Sequence, residues 1–188
     1  AEGSAFHRVL HDDAQTRPEV AGITIKADKD IRRVILCSGK VYYDLLERRE
    51  RDGLTDVYLL RLEQFYPFPA QSLSKELERF KHAEIVWCQE EPKNNGAWFF
   101  VEPNLEWVLG RIGAQHGRPA YAGRAAAASP AAAAHKAPPP RLSGRRRRQI
   151  LSPSLIGRGV CREVQSRVWG DGAQEEAASQ RGGEGGGD

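Results

Sequence analysis

Methionine is absent from all 188 residues, position 1 included, so the first residue is not an ordinary translation start and the chain reads as a piece of something longer. Cysteine is scarce. Cys37, Cys88 and Cys161 are odd in number, far apart and never in a C-x-x-C pair, which argues against a disulfide framework and a zinc cluster and for a reducing compartment. There is no apolar run of 18 residues, so no membrane-spanning helix is expected. The opening AEGSAFHRVL lacks the basic, apolar and cleavage regions of a signal peptide. Basic residues interleaved with aromatics, as base stacking requires, are missing too.

What is present divides in two. Apolar residues make up 40% and charged residues 28%, an ordinary globular balance. Residues 133–188, however, hold 10 of the 28 Lys and Arg but 6 of the 25 Asp and Glu, a balance of +4 that leaves −1 for residues 1–132. The basic character thus belongs to the tail and gives no reason to expect a nucleic-acid surface on the remainder. Ten of the 19 glycines also fall in residues 133–188, whose apolar residues keep no period of 2 or 3.6. Such a segment buries too little surface to offset its chain entropy, and disorder is expected.

Residues 31–37 (IRRVILC) end in a β-branched apolar run that stops at Ser38-Gly39, the pattern of a strand buried on both faces. Residues 40–51 place Val41, Leu45 and Leu46 on one helical face, with Glu47 four before Arg51 and Gly53 as a stop. DVYLLRL (56–62) reads as a second strand, and Pro69 opens a second helix lined by Leu73, Leu77 and Phe80. EIVWC (84–88) is a third strand, followed by a polar loop, QEEPKNNG (89–96), in which no regular structure is expected. A third helix carries Leu105, Val108, Leu109 and Ile112, with Asn104 as N-cap and Gly113 at its end. A short edge strand is expected near Tyr121. Strand and helix alternate, which predicts an α/β fold: a three-layer, open, mostly parallel sheet flanked by helices. The expected organisation is a lead-in over 1–30, an α/β domain over 31–131 and a disordered tail over 132–188.

Two strand ends carry candidate chemistry. Ser38, Gly39 and Lys40 close one strand and open a helix, where backbone N–H groups and the helix dipole favour an anion. The plainer reading is a strand-to-helix turn, because Val34 and Val41 break the P-loop pattern. Gln89, Glu90 and Glu91 lie in the loop at the carboxyl end of another strand, and with Asn95 and Trp98 they read as an interface loop or, with the carboxylates buried, an acid–base pair. His7 and His11 lie in an extended segment, so no metal site is expected. Tyr42, Tyr43, Trp87, Trp98 and Trp107 read as core and interface anchors. Gly170-Asp171-Gly172 matches the opening of the thiamine diphosphate motif, but only 16 residues follow and none is Asn. The four arginines at 145–148 are read as a tail feature.

CSGKVYYDLLERR (37–49), RLEQFYPFP (61–69), WCQEEPKNNGAW (87–98) and YAGRAAAASPA (121–131) carry a further signal. Together with FHRVLHDD (6–13) they resemble the C-terminal region of the thiamine-dependent first component of the 2-oxoglutarate dehydrogenase complex, over about residues 3–131. The resemblance implies a transketolase-type C-terminal domain that supports a homodimer and binds no cofactor or metal itself. It implies thiamine diphosphate and Mg on the preceding domains of the parent enzyme, and a lipoyl-bearing succinyltransferase as partner. No residue here would then be catalytic, and location would be cytoplasmic in a bacterium or the mitochondrial matrix in a eukaryote. Some relatives bind a coenzyme A type effector on this domain, which keeps Ser38 and Lys40 of interest. The alternative is a free-standing α/β module that binds an anion or effector. After the ASPA string the chain departs from the family in composition, as a shifted reading frame would cause.

Overall fold

The structure, a computed structural model, describes residues 6–17 and 21–128. Expectations for residues 132–188, for Cys161 and for the arginines at 145–148 lie outside the described residues.

The three buried runs form parallel strands β2 (Arg33–Cys37), β3 (Val57–Leu62) and β4 (Glu84–Pro92). A two-residue strand β1 (Val9–Leu10) runs antiparallel on β3, and β5 (Ala120–Arg124) runs parallel on β4. The sheet order is β1-β3-β2-β4-β5. Besides the short α1 (Asp13–Thr16), the helices are α2 (Val41–Arg51), α3 (Ala70–Leu77) and α4 (Trp98–Ile112). A 3-10 turn over Glu78–Phe80 extends α3. This is the α/β architecture expected, with an antiparallel strand at one edge.

Alternation along the strands sorts the core into two layers. Val34, Leu36, Tyr58, Leu60, Ile85 and Trp87 pack under α3 and α4, while Ile35, Cys37, Leu59, Val86 and Cys88 pack under α2. Leu73, Leu77 and Phe80 are all but fully buried, each worth about 1.5–3 kcal/mol of apolar burial. Cys37 and Cys88 are buried in the α2-side layer, and desolvation pushes the Cys88 thiol up to about 12 and the Cys37 thiol higher still, the latter helped by the neighbouring Cys88.

Four local expectations are corrected. β4 continues through Glu90 and Glu91 to Pro92 instead of stopping at Cys88, because β5 pairs with it across an irregularity between Cys88 and Pro92. Pro92 is tolerated as the last strand residue, where a missing donor costs no ladder bond. α4 begins at Trp98, not beside Asn104, with Ala97 as N-cap; Asn104 sits inside it and donates Nδ2–H to the Phe100 carbonyl at 2.7 Å. Pro69 is the N-cap of α3, not its first residue. Arg51 pairs with its neighbour Asp52 at 3.3 Å, so the i,i+4 ion pair on α2 is Arg48 with Asp52. Gly113 ends α4 as expected, at φ +65°. The aromatics divide: Tyr42, Trp87 and Trp98 are buried, whereas Tyr43 and Trp107 are exposed.

The lead-in is woven into this layer structure by charge. Asp12 and Arg49 are both fully buried and form a two-pronged ion pair, the Nη2–Oδ1 contact being 2.9 Å. Asp12 also caps α1 through the Ala14 N–H and accepts the Leu59 N–H of β3 at 2.7 Å. Beside it, the Tyr58 hydroxyl donates to Glu76 at 2.7 Å, and His11 and Arg79 meet the same carboxylate. Burial and the Glu76 carboxylate push the Tyr58 hydroxyl well above its usual range.

Candidate functional site

Because β2 and β4 are neighbours and the chain leaves them in opposite directions, from β2 through α2 to β3 and from β4 through α4 to β5, a crevice opens beyond their carboxyl ends. It holds a cavity of about 480 Å³. Ser38, Gly39 and Lys40 form one wall, and Gln89, Glu90, Glu91 and Asn95 form the other. Phe65 and Trp87 supply its apolar surface. The two candidate clusters, 49 or more residues apart in sequence, thus share one cavity. Trp98 is the exception: its ring stacks edge-on against Tyr121 at 5.0 Å, and the residue is not among those lining the cavity.

Each wall has a local cause. Gly39 takes φ +66°, a conformation that lets the chain turn sharply from β2 into α2. α2 then starts at the cavity with no side-chain cap on Lys40; Lys40 and Val41 line it, while the Tyr42 and Tyr43 N–H groups donate to the Gly39 and Lys40 carbonyls. Across the gap, Trp87 and Gln89 lie two apart on β4 and point to the same face, which brings the indole N–H to Gln89 Oε1 at 2.9 Å. The same oxygen accepts the Trp98 N–H that opens α4, at 3.0 Å. Gln89 Nε2 donates to the carbonyls of Glu91 and Pro92. One buried amide therefore pins the cavity wall, the loop beyond it and the start of α4. Gly96 is glycine because a Cβ there would collide with that amide.

Gln89 is 4% exposed, whereas Glu91 and Asn95 face solvent. The loop thus divides into a buried anchor and an exposed rim. Among the described residues no three His, Cys, Asp or Glu side chains gather as a cation would need. No such cluster among the described residues would hold Mg with a bound diphosphate. No helix among the described residues is long and apolar enough to cross a membrane.

Sequence reasoning missed the Asp12–Arg49 pair and the anchoring role of Gln89. A signal for the first existed: Tyr42, Leu45 and Arg49 fall at i, i+3 and i+7, which places a cation on the buried stripe of α2.

Fold and crevice define an open, doubly wound α/β domain with a small cavity at its switch point. The family model for the C-terminal region of 2-oxoglutarate dehydrogenase matches residues 1–139, and the chain belongs to that family. Two similar relatives, from Brucella anthropi and Brucella ovis, are each named 2-oxoglutarate dehydrogenase E1 component and are 66% identical over 123 residues. A third, from Brucella abortus, is 65% identical over the same length. In each case the match covers 65% of this chain and 12% of the relative, so the chain spans about an eighth of the length of the curated relatives it matches.

Proposed function

We propose that this chain is the C-terminal structural and dimerisation domain of a 2-oxoglutarate dehydrogenase E1 component and does no chemistry alone. The observation that carries the reading is the match itself: a family defined on the C-terminal region of the enzyme covers residues 1–139, while 88% of each relative's length lies elsewhere. In this reading the parent enzyme decarboxylates 2-oxoglutarate on thiamine diphosphate with Mg and passes succinyl to a lipoyl-bearing partner in the cytoplasm. The present domain supplies the wall against which the preceding domains and a second copy pack.

Reconstitution tests it. A Brucella E1 component truncated before its C-terminal region, mixed or co-expressed with this chain, should regain 2-oxoglutarate turnover that neither piece shows alone. Turnover by the purified chain by itself defeats the reading, and so does failure of restoration when both pieces are folded.

A second reading, that the crevice takes an anionic effector, is favoured by one observation. The uncapped start of α2 and Lys40 face an aromatic-lined cavity of about 480 Å³. Calorimetric titration with inorganic phosphate, a nucleotide and coenzyme A separates it from a purely structural role, which gives no heat.

A further inference from the structure

Asparagine is rare in this chain, and its three occurrences stand in three different settings. Asn104 lies inside α4 and donates to the Phe100 carbonyl. Asn94 is clamped through both ends of its amide, Nδ2–H donating to the Ala127 carbonyl at 3.1 Å and Oδ1 accepting the Ala127 N–H at 3.0 Å. Asn95 is exposed, and its side chain bonds to nothing among the described residues. It alone is followed by glycine.

That neighbour matters because the carbon of a side-chain amide is within reach of the next backbone nitrogen. The five-membered ring that results closes most readily when the next residue has no Cβ. The loop leaves the attacking nitrogen poorly held. The Pro92 carbonyl has two lone pairs but three donors: the Asn95 N–H at 2.9 Å, Gln89 Nε2 at 3.1 Å and the Gly96 N–H at 3.3 Å. The Gly96 bond is the longest and so the weakest. Nor can the glycine be exchanged freely, since a Cβ there runs into the Gln89 amide. The fold thus requires the residue that makes Asn95 vulnerable.

We propose that Asn95-Gly96 is a self-modification site. The Gly96 nitrogen bonds to Asn95 Cγ, the Cγ–Nδ2 bond breaks, and Nδ2 leaves as ammonia with the proton that Gly96 gives up. Water then opens the cyclic imide and is the sole co-reactant. Opening at Cγ leaves aspartate. Opening at the main-chain carbonyl leaves an isoaspartyl link, with the Cβ of residue 95 inserted into the backbone. Either product adds a carboxylate to the cavity wall that already carries Glu90 and Glu91. The isoaspartyl product also lengthens a span fixed at both ends, because Gln89 holds the Pro92 carbonyl through Nε2 and the Trp98 N–H through Oε1. The anchor must loosen, and the start of α4 with it.

Ageing the full chain for days in warm, mildly alkaline buffer tests this. Tryptic digestion should then give a peptide from Asn94 to Arg111 in which one amide has become an acid, absent from an unaged sample digested beside it. Fragmentation should place the change at Asn95, mostly as isoaspartate, with Asn94 and Asn104 intact. Only one weak hydrogen bond has to open, so the folded chain should convert no more than about tenfold more slowly than the same chain in urea. The thermal midpoint should fall as the isoaspartyl fraction grows. Asn95→Gln, which gives up no hydrogen bond and closes the ring far less readily, should keep its midpoint through the same treatment. Conversion of Asn94 or Asn104 ahead of Asn95, protection by the fold beyond about tenfold, a midpoint indifferent to the isoaspartyl fraction, or an equal fall in Asn95→Gln each overturns the proposal.

Discussion

Replacing Asp12 by alanine is the most informative single perturbation of this fold. The change strands Arg49, which is fully buried and whose Nε already lacks a partner, and it removes the acceptor of the Leu59 N–H and the cap of α1. Breaking a buried ion pair from one side costs about 3–5 kcal/mol. An unsatisfied buried N–H adds about 1–3 kcal/mol, and a lost cap about 1. These overlap, since relaxation that wets one group wets its neighbours, so about 4–7 kcal/mol is expected, a large share of the roughly 5–15 kcal/mol that holds a domain of this size. With a urea slope of about 2 kcal/mol per molar, the unfolding midpoint should fall by about 2–3.5 M. Arg49→Met should cost less, because Asp12 keeps its two backbone donors, the Ala14 and Leu59 N–H groups. Adding Arg49→Met to Asp12→Ala should recover at least about 2 kcal/mol, the charge that made the single change so costly having gone. Equilibrium urea unfolding of the four proteins completes the cycle. A loss below about 1.5 kcal/mol for Asp12→Ala, or additive single effects, refutes the reasoning.

Three further outcomes follow from the geometry. Gln89→Ala should destabilise by about 2–4 kcal/mol, because the Trp87 indole and the Trp98 amide lose one shared acceptor; thermal unfolding followed by tryptophan fluorescence reads it, and a change under 1 kcal/mol contradicts the anchoring role. Gly96→Ala should cost about 1–3 kcal/mol in the native background and much less beside Gln89→Ala, since the three atoms nearest its Cβ all belong to the Gln89 amide; equal costs in the two backgrounds go against this. Acid should act through Asp28, held low by the Arg79 hydrogen bond, and through Asp13 and Asp56, where burial pushes upward but Arg17, Tyr42 and Arg32 outweigh it. Folded values below the ordinary 3.8 mean that this stability is complete above about pH 5 and drains away as pH falls through 4 and lower. Urea midpoints measured from pH 6 to 2 should show that sign, with a shallower fall in Arg79→Gln; a midpoint that rises on acidification reverses it.

The strands and the first two helices could be read because each burial pattern is local. Val34 to Cys37, Tyr58 to Leu60 and Ile85 to Cys88 are runs that only a covered strand tolerates, and Leu73, Leu77 and Phe80 mark one helix face without help from elsewhere. The end of β4 could not be read that way. Gln89 and Glu90 look like loop residues until Tyr121 and Ala122 arrive from 33 or so residues away to pair beside them, and the amide of Gln89 is buried only because Trp87 and Trp98 both require its oxygen. The cavity was half legible. Both strand-end turns can be found from composition and turn chemistry, but that Ser38 and Glu90 face each other depends on β2 lying beside β4, a matter of sheet order. Asp12 and Arg49, 37 residues apart, were hidden for the same reason.

The two sulfur atoms in the α2-side layer give the molecule a built-in clock. Cys37 and Cys88 have no exposed surface and hold their protons far above neutral pH, so an alkylating reagent reaches neither until β2 and β4 part. Label found on either one therefore dates an opening of the sheet's centre, and the pace of its arrival counts how often that centre comes apart.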